Sequence, residues 1–239
     1  MKPNIFVLGP SASGKSSCLR NLDPLTTGIL NSEQKALPFR SAGKFKMNVP
    51  ITGLEYDEKA EKNLPSMTPY WNSFDKAMGS DKVKVLVNES FTSLTEQIYA
   101  ASSRYYTGFD LWKNYNEEIT KVLHRSKNTN IYNVFTGTDM VIEGENGVEE
   151  RCVNVQGNRW KKNVEKEFVI VLYTNVYTDE NGELKHRFIT NKIKGFENIP
   201  AKSPMGMLPP TMDNDLNEVI RLAEEYYNVD EVEEPQKQE

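Results

Sequence analysis

The run Gly9-Pro10-Ser11-Ala12-Ser13-Gly14-Lys15-Ser16 reads G-x-x-x-x-G-K-S, the residue types and spacing of a phosphate-binding loop. Gly9 and Gly14 permit backbone shapes that a side chain would block. The loop amides then point inward at phosphate oxygens, helped by the positive end of the following helix. Lys15 is expected to reach the β and γ phosphates. The Ser16 hydroxyl is expected to ligate Mg²⁺, with Ser17 closing the set of loop residues around the nucleotide.

Five further groups have chemistry to offer. Glu33 stands just past an apolar run, where a carboxylate faces the ligand side of an open sheet; with Lys15 it is the catalytic candidate, positioned to activate a water. The run Val83-Lys84-Val85-Leu86-Val87 ends in Asn88-Glu89-Ser90, where a phosphate-loop protein carries a metal-binding acid. Asn88 occupies the expected place and supplies no charge. Glu89 is one residue late and is expected on the opposite face of a regular strand. Both are metal-site candidates. Thr136 and Thr138 are candidates for sensing the γ-phosphate. The cluster Arg159-Trp160-Lys161-Lys162 is compact and basic with one aromatic, a combination that serves single-stranded nucleic acid; Lys192 and Lys194 are candidates for touching a phosphate on a neighbouring subunit.

The elements that must position these groups can be read in order. Ile5-Phe6-Val7-Leu8 is a strand before the loop, and 17–22 is helix-compatible. Residues 27–31 form a short buried strand. Residues 36–68 read as loops with a short hairpin. Pro69–Met78 is a helix with Tyr70, Trp71, Phe74 and Met78 at helical spacing. Phe91–Ala101 is a helix, and Asp110 caps another whose stripe is Leu111, Trp112, Tyr115, Ile119, Val122 and Leu123. Ile131–Thr136 is a strand. Glu145-Asn146-Gly147 is a hairpin turn between apolar runs at 140–142 and 148–155. Phe168–Tyr177 and Leu184–Ile193 pair antiparallel about Asp179-Glu180-Asn181-Gly182. Asp213 or Asp215 caps a last helix with Leu216, Val219, Ile220, Ala223 and Tyr227 inward. Residues 1–228 read as a single domain, and 229–239 as an acidic disordered tail.

The balance of the chain excludes several classes. Its 239 residues carry a formal net charge of -5, so it is not a globally basic nucleic-acid binder, although a local basic groove is compatible. Cys18 and Cys152 are far apart, which argues against a disulfide framework or zinc site and fits a reducing compartment. No stretch approaches a membrane span and the N-terminus lacks a secretion signal, so a soluble, cytoplasmic protein is expected. His124 and His186 receive no catalytic role.

Taken in order, these pieces resemble the compact RecA-like ATPases of bacteriophages, the Sak4-type single-strand annealing proteins and their ATP-binding relatives. The resemblance rests on GPSASGKS at 9–16, ILNSE at 29–33, VKVLVNES at 83–90, IYNVFTGT at 131–138, GNRWKK at 157–162, EFVIVLYT at 167–174 and ITNKIKG at 189–195. It spans roughly residues 4 to 227. It implies an α/β fold: a RecA-like P-loop NTPase core with a mainly parallel central sheet flanked by helices, plus a C-terminal antiparallel hairpin. It implies ATP and Mg²⁺ as cofactors, and a part in phage DNA recombination or replication through single-stranded DNA in the host cytoplasm. It carries the water-activating Glu to Glu33 and the second-motif Asp to Asn88, where this sequence departs. It places the DNA loops within Gly137 to Lys162, and suggests self-association as a ring or filament and a single-strand binding protein as a further partner.

Three functions remain open at this level. The first is an ATP-dependent single-stranded DNA-binding recombinase or annealing protein. The second is a non-catalytic ATP-binding assembly protein of a phage, favoured by Asn88. The third is a P-loop nucleotide or small-molecule kinase, disfavoured because no Arg-rich lid is visible. A GTPase is disfavoured because Asn191-Lys192-Ile193-Lys194 lacks the Asp that reads guanine.

Overall fold

The computed structural model describes residues 1–144 and 147–228. Glu145 and Asn146 of the expected hairpin turn, and the tail 229–239, lie outside the described residues.

Six parallel strands surround or support the phosphate loop. β1 (Ile5–Gly9) pairs on one side with β7 (Tyr132–Glu143) and on the other with β9 (Ile170–Thr178). β7 pairs with β6 (Val85–Glu89), β6 with β2 (Thr27–Asn31), and β2 with the short β3 (Asn48–Pro50). Beyond β9 the sheet turns antiparallel, through β10 (Leu184–Ile189) and β11 (Thr211–Asp213). The order is therefore β11-β10-β9-β1-β7-β6-β2-β3. β7 outruns its neighbours, and its far half pairs antiparallel with β8 (Glu149–Val153) to form a ribbon. β4 (Leu54–Asp57) and β5 (Lys62–Pro65) make the separate hairpin expected within 36–68.

β1 is buried at all five residues, as a parallel strand covered on both faces must be. Its alternation splits the core. Phe6 and Leu8 face α1 (Thr68–Met78), α2 (Phe91–Ser103) and α3 (Gly108–Arg125), through Tyr70, Phe74, Leu94, Tyr115 and Ile119. Ile5 and Val7 face the short helix after the loop and α4 (Leu216–Tyr227), through Cys18, Leu19, Leu216 and Val219.

Several elements differ from the sequence expectation. The helix after the loop is a six-residue 3-10 segment, Ser16–Asn21. It stops because Asp23 closes a turn, accepting from the Leu25 N–H at 2.9 Å and the Thr26 hydroxyl at 3.0 Å, and because Pro24 disfavours helix before it. Thr107, not Asp110, holds the N-cap position of α3; Asp110 lies in the first turn, where its charge suits the helix dipole. Asp215 caps α4 by accepting from the Asn217 N–H at 3.0 Å. Tyr227 is exposed rather than inward, because α4 ends there. Trp160 is buried, and is treated with the site below.

Candidate nucleotide site

The loop leaves β1 at Gly9, where the backbone runs close to β9. A Cβ on Gly9 would lie 2.1 Å from Thr174 Oγ1, so the approach requires glycine. Gly14 has φ +100°, and a Cβ there would meet His186 Nδ1 at 3.0 Å and the Asn214 amide at 3.2 Å. The loop is thus pinned from the β9–β10 side. The Ser13 and Thr174 hydroxyls hydrogen-bond each other, and Ser13 Oγ donates to the Pro10 carbonyl at 2.7 Å. The His186 ring nitrogen Nδ1 lies 3.0 Å from the Ser13 carbonyl. Pro10, Ser11 and Ala12 form the exposed tip, and Ser17 is half-buried in the first turn of the 3-10 segment.

Lys15 Nζ donates to the Pro10 carbonyl at 2.7 Å, folded back across its own loop. Burial pulls its ammonium below the ordinary lysine range. The charges of Glu89, Asp139 and Glu33 oppose that effect.

The acid of the site is Glu89. Ser16 Oγ donates to Glu89 Oε1 at 2.5 Å, and Thr136 Oγ1 donates to Glu89 Oε2 at 2.6 Å. Burial raises the Glu89 carboxyl above the usual range; the two hydroxyl hydrogen bonds and Lys15 pull the other way, while Glu33 adds to the rise. Asn88, placed by sequence at the metal, is on the opposite face. Its Oδ1 accepts from the Tyr70 hydroxyl at 3.0 Å, and its Nδ2 reaches the Val134 carbonyl at 3.5 Å. The correction follows from strand parity. Val85, Val87 and Glu89 share the face that meets the 3-10 segment, whereas Leu86 and Asn88 face α1. The sequence carried that signal: Glu89 shares parity with Val85 and Val87, whose face meets the segment after the loop.

Glu33 follows β2 directly. Its N–H reaches the Glu89 carbonyl at 3.4 Å, and its carboxylate pairs with Lys35 at 3.1 Å while a quarter of the side chain stays exposed. Thr138 lies opposite Gly9 in the β1–β7 register, and its N–H donates to the Thr92 hydroxyl at 3.1 Å. The basic cluster is split by folding. Trp160 is 7% exposed and packs in the core on the α2–α3 side of the sheet, so its ring is not presented for base stacking. Arg159 is exposed, with its guanidinium 5.7 Å from the Trp160 ring centre. Lys161 is half-buried, and Lys162 pairs with Glu150 at 2.8 Å. Lys192 and Lys194 are exposed beyond β10.

The fold adds residues the sequence reading passed over. Asp139, on the extension of β7, accepts from Arg151 at 2.6 Å and from the Tyr173 hydroxyl at 2.8 Å, and its side chain is almost fully enclosed. Thr174, His186 and Asn214 were equally silent, since only the β9–β10 pairing carries the first two to the loop.

The Ser16 hydroxyl and an enclosed carboxylate are the donor types Mg²⁺ takes beside nucleotide phosphates, so the residues present fit that ion. Among the described residues no cluster of three His, Cys, Asp or Glu forms a self-sufficient metal cage, and no helix is long and apolar enough to cross a membrane.

The chain matches no protein-family model and no curated protein. Among solved structures it is similar to a KaiC-like protein of the hyperthermophilic archaeon Pyrococcus horikoshii, at 11% identity and a TM-score of 0.45, over 82% of this chain and 81% of that one. It is also similar to an uncharacterized protein of the same archaeon in complex with an unknown peptide, at 13% identity and a TM-score of 0.37, over 81% and 85% of the two chains. The fold class stands on the chain's own topology: a mostly parallel α/β sheet in which β7 lies between the loop strand and β6, with an antiparallel hairpin added at the C-terminal side.

Proposed function

We propose that this chain is an ATP-binding, Mg²⁺-dependent RecA-like ATPase that acts on single-stranded DNA in phage recombination or replication, by annealing or strand handling. The observation that supports catalysis best is the bridge Ser16–Glu89–Thr136. It ties the loop hydroxyl, an enclosed carboxylate and the neighbouring strand into one unit beside Lys15.

In this reading Lys15 leaves the Pro10 carbonyl and turns onto the β and γ phosphates. Ser16 and Glu89 would hold Mg²⁺, which would supply charge neutralisation on the phosphate oxygens. Glu33 takes the proton of the attacking water. Thr136, through Glu89, and Thr138, beside Gly9, are placed to register loss of the γ-phosphate. The non-catalytic assembly reading leaned on the missing charge at Asn88; the carboxylate of Glu89 beside Ser16 supports the catalytic reading instead. A kinase finds no added support, since Arg151 is held by Asp139 rather than carried on an open lid.

The DNA part rests on the exposed Arg159 and half-buried Lys161 after the β7–β8 ribbon. With Trp160 enclosed, these side chains contact the phosphate backbone rather than stack on bases. Lys192 and Lys194 are proposed to meet a neighbouring subunit in a ring or filament, with a single-strand binding protein as a further partner. The test is the affinity for a single-stranded oligonucleotide with and without Mg²⁺ and a non-hydrolysable ATP analogue. The account expects a change of about 5-fold or more between the two states, a normal coupling between linked sites. Absence of oligonucleotide binding in both states removes the DNA reading.

A further inference from the structure

Beside the nucleotide site lies a cavity of about 320 Å³ that no part of the account above uses. Three stretches distant in sequence converge on it: β8, the segment 162–166, and the chain after β10. Five cations line it, Arg151, Lys162, Lys166, Lys192 and Lys202, against three carboxylates. An excess of cations is notable on a chain whose net charge is -5. One of the acids, Glu165, is turned to the backbone: its Oε1 accepts from the Val153 N–H at 2.6 Å, and burial pushes its carboxyl up. Lys202 is half-buried and fixed in place by paired backbone hydrogen bonds to Val171, at 2.8 and 2.9 Å. Burial pulls its ammonium down, the condition of a cation stripped of water that gains by meeting an anion.

A second cavity, of about 480 Å³, opens on the tip of the phosphate loop at Pro10, Ser11 and Ser13. The two share one wall, made of Arg151 and residues 197–199. The Arg151 N–H donates to the Asn198 carbonyl at 2.9 Å, so the wall is continuous. The Arg151 guanidinium is clamped by Asp139, the same carboxylate whose charge acts on Lys15.

We propose that the smaller cavity is a second anion site, separate from the phosphate loop, that takes a backbone phosphate of a nucleic-acid strand, and that Arg151 links it to the nucleotide site. The choice of a strand over a free phosphate rests on the DNA reading above; the cavity itself does not. Lys192 and Lys202 make the contact; for Lys192 this replaces the neighbouring-subunit role proposed above, which then falls to Lys194 alone. Arg151 is a positioning residue: when Lys15 moves onto bound phosphates, Asp139 loses a neighbouring cation and holds Arg151 differently, which changes the shared wall.

The test uses the full chain carrying Lys15→Ala, so that the loop no longer captures phosphate. Two probes are titrated, inorganic tripolyphosphate and a single-stranded oligothymidylate, with and without Lys192→Glu and Lys202→Met. Lys192 is exposed, and methionine keeps the stem of Lys202, so neither change empties the core. The expected result is a loss of about 10-fold or more for the oligonucleotide, with a shallower salt dependence. Binding of tripolyphosphate alone, lost in the same variants, keeps the anion site, assigns it to free phosphate and removes the DNA reading. Oligonucleotide binding indifferent to both substitutions overturns the cavity and leaves the DNA reading intact. No binding of either probe overturns the site. With Lys15 restored, Arg151→Gln is expected to abolish the effect of an ATP analogue on oligonucleotide affinity; a persisting effect removes Arg151 as the link.

Discussion

The Ser16 hydroxyl donates to Glu89 Oε1 at 2.5 Å, joining the phosphate loop to the end of β6. Each group satisfies the other, and Lys15 is satisfied by the Pro10 carbonyl. In the proposed function a nucleotide would exchange these internal hydrogen bonds for bonds to phosphate.

Glu89 is 5% exposed and its carboxyl is raised by burial. A raised value in the folded chain means that the group's contribution to stability is complete below the ordinary carboxylate range and is lost as pH rises through the raised value. Glu89→Gln removes the ionisation while keeping the shape. Without Mg²⁺ and nucleotide, the variant is expected to melt above the wild type at neutral pH, and the gap should close as pH falls. Calorimetry across pH reads this directly; a gap independent of pH would refute the assignment of the buried charge.

Asn88 provides the opposite test. If it were the metal ligand, Asn88→Asp would supply the missing charge and raise turnover. Because its amide faces Tyr70 and Val134 in the apolar interior, the aspartate is expected to cost about 1–3 kcal/mol of stability and to give no gain in ATPase rate. Chemical denaturation together with a rate assay decides between the two.

Trp160→Ala is expected to destabilise the fold by about 3–5 kcal/mol, as truncation of a buried tryptophan does. Trp160→Phe keeps most of the packing and should leave oligonucleotide affinity unchanged. A clear affinity loss in a well-folded Trp160→Phe protein would show that the ring reaches the strand after all.

The phosphate loop was legible because its chemistry is local: eight consecutive residues, an apolar strand before them and a turn of helix after. The major strands and the helices α1, α2, α3 and α4 were legible for a similar reason, since their periodicity is set within each segment. Of the two metal candidates at the end of β6, Asn88 turned out to face α1 and Glu89 the phosphate loop, which follows from the face that Val85 and Val87 occupy. β11 was invisible, as three residues carry no period and their pairing with β10 is purely tertiary. Trp160 misled because a basic, aromatic run looks the same whether the ring is inside or outside. Its burial is decided by packing partners distant in sequence. Asp139, Arg151 and Tyr173 meet only because β7 extends beyond the sheet and folds back with β8.

The most direct test is the Mg²⁺-dependent ATP hydrolysis rate of the wild type, Glu33→Gln and Glu89→Gln, each with and without single-stranded DNA. The account predicts measurable wild-type turnover, stimulated by DNA, that falls about 100-fold or more in each variant, equivalent to about 2.7 kcal/mol of lost transition-state stabilisation. Wild-type protein that binds ATP without turnover in either condition, or a Glu33→Gln variant as fast as the wild type, would contradict it.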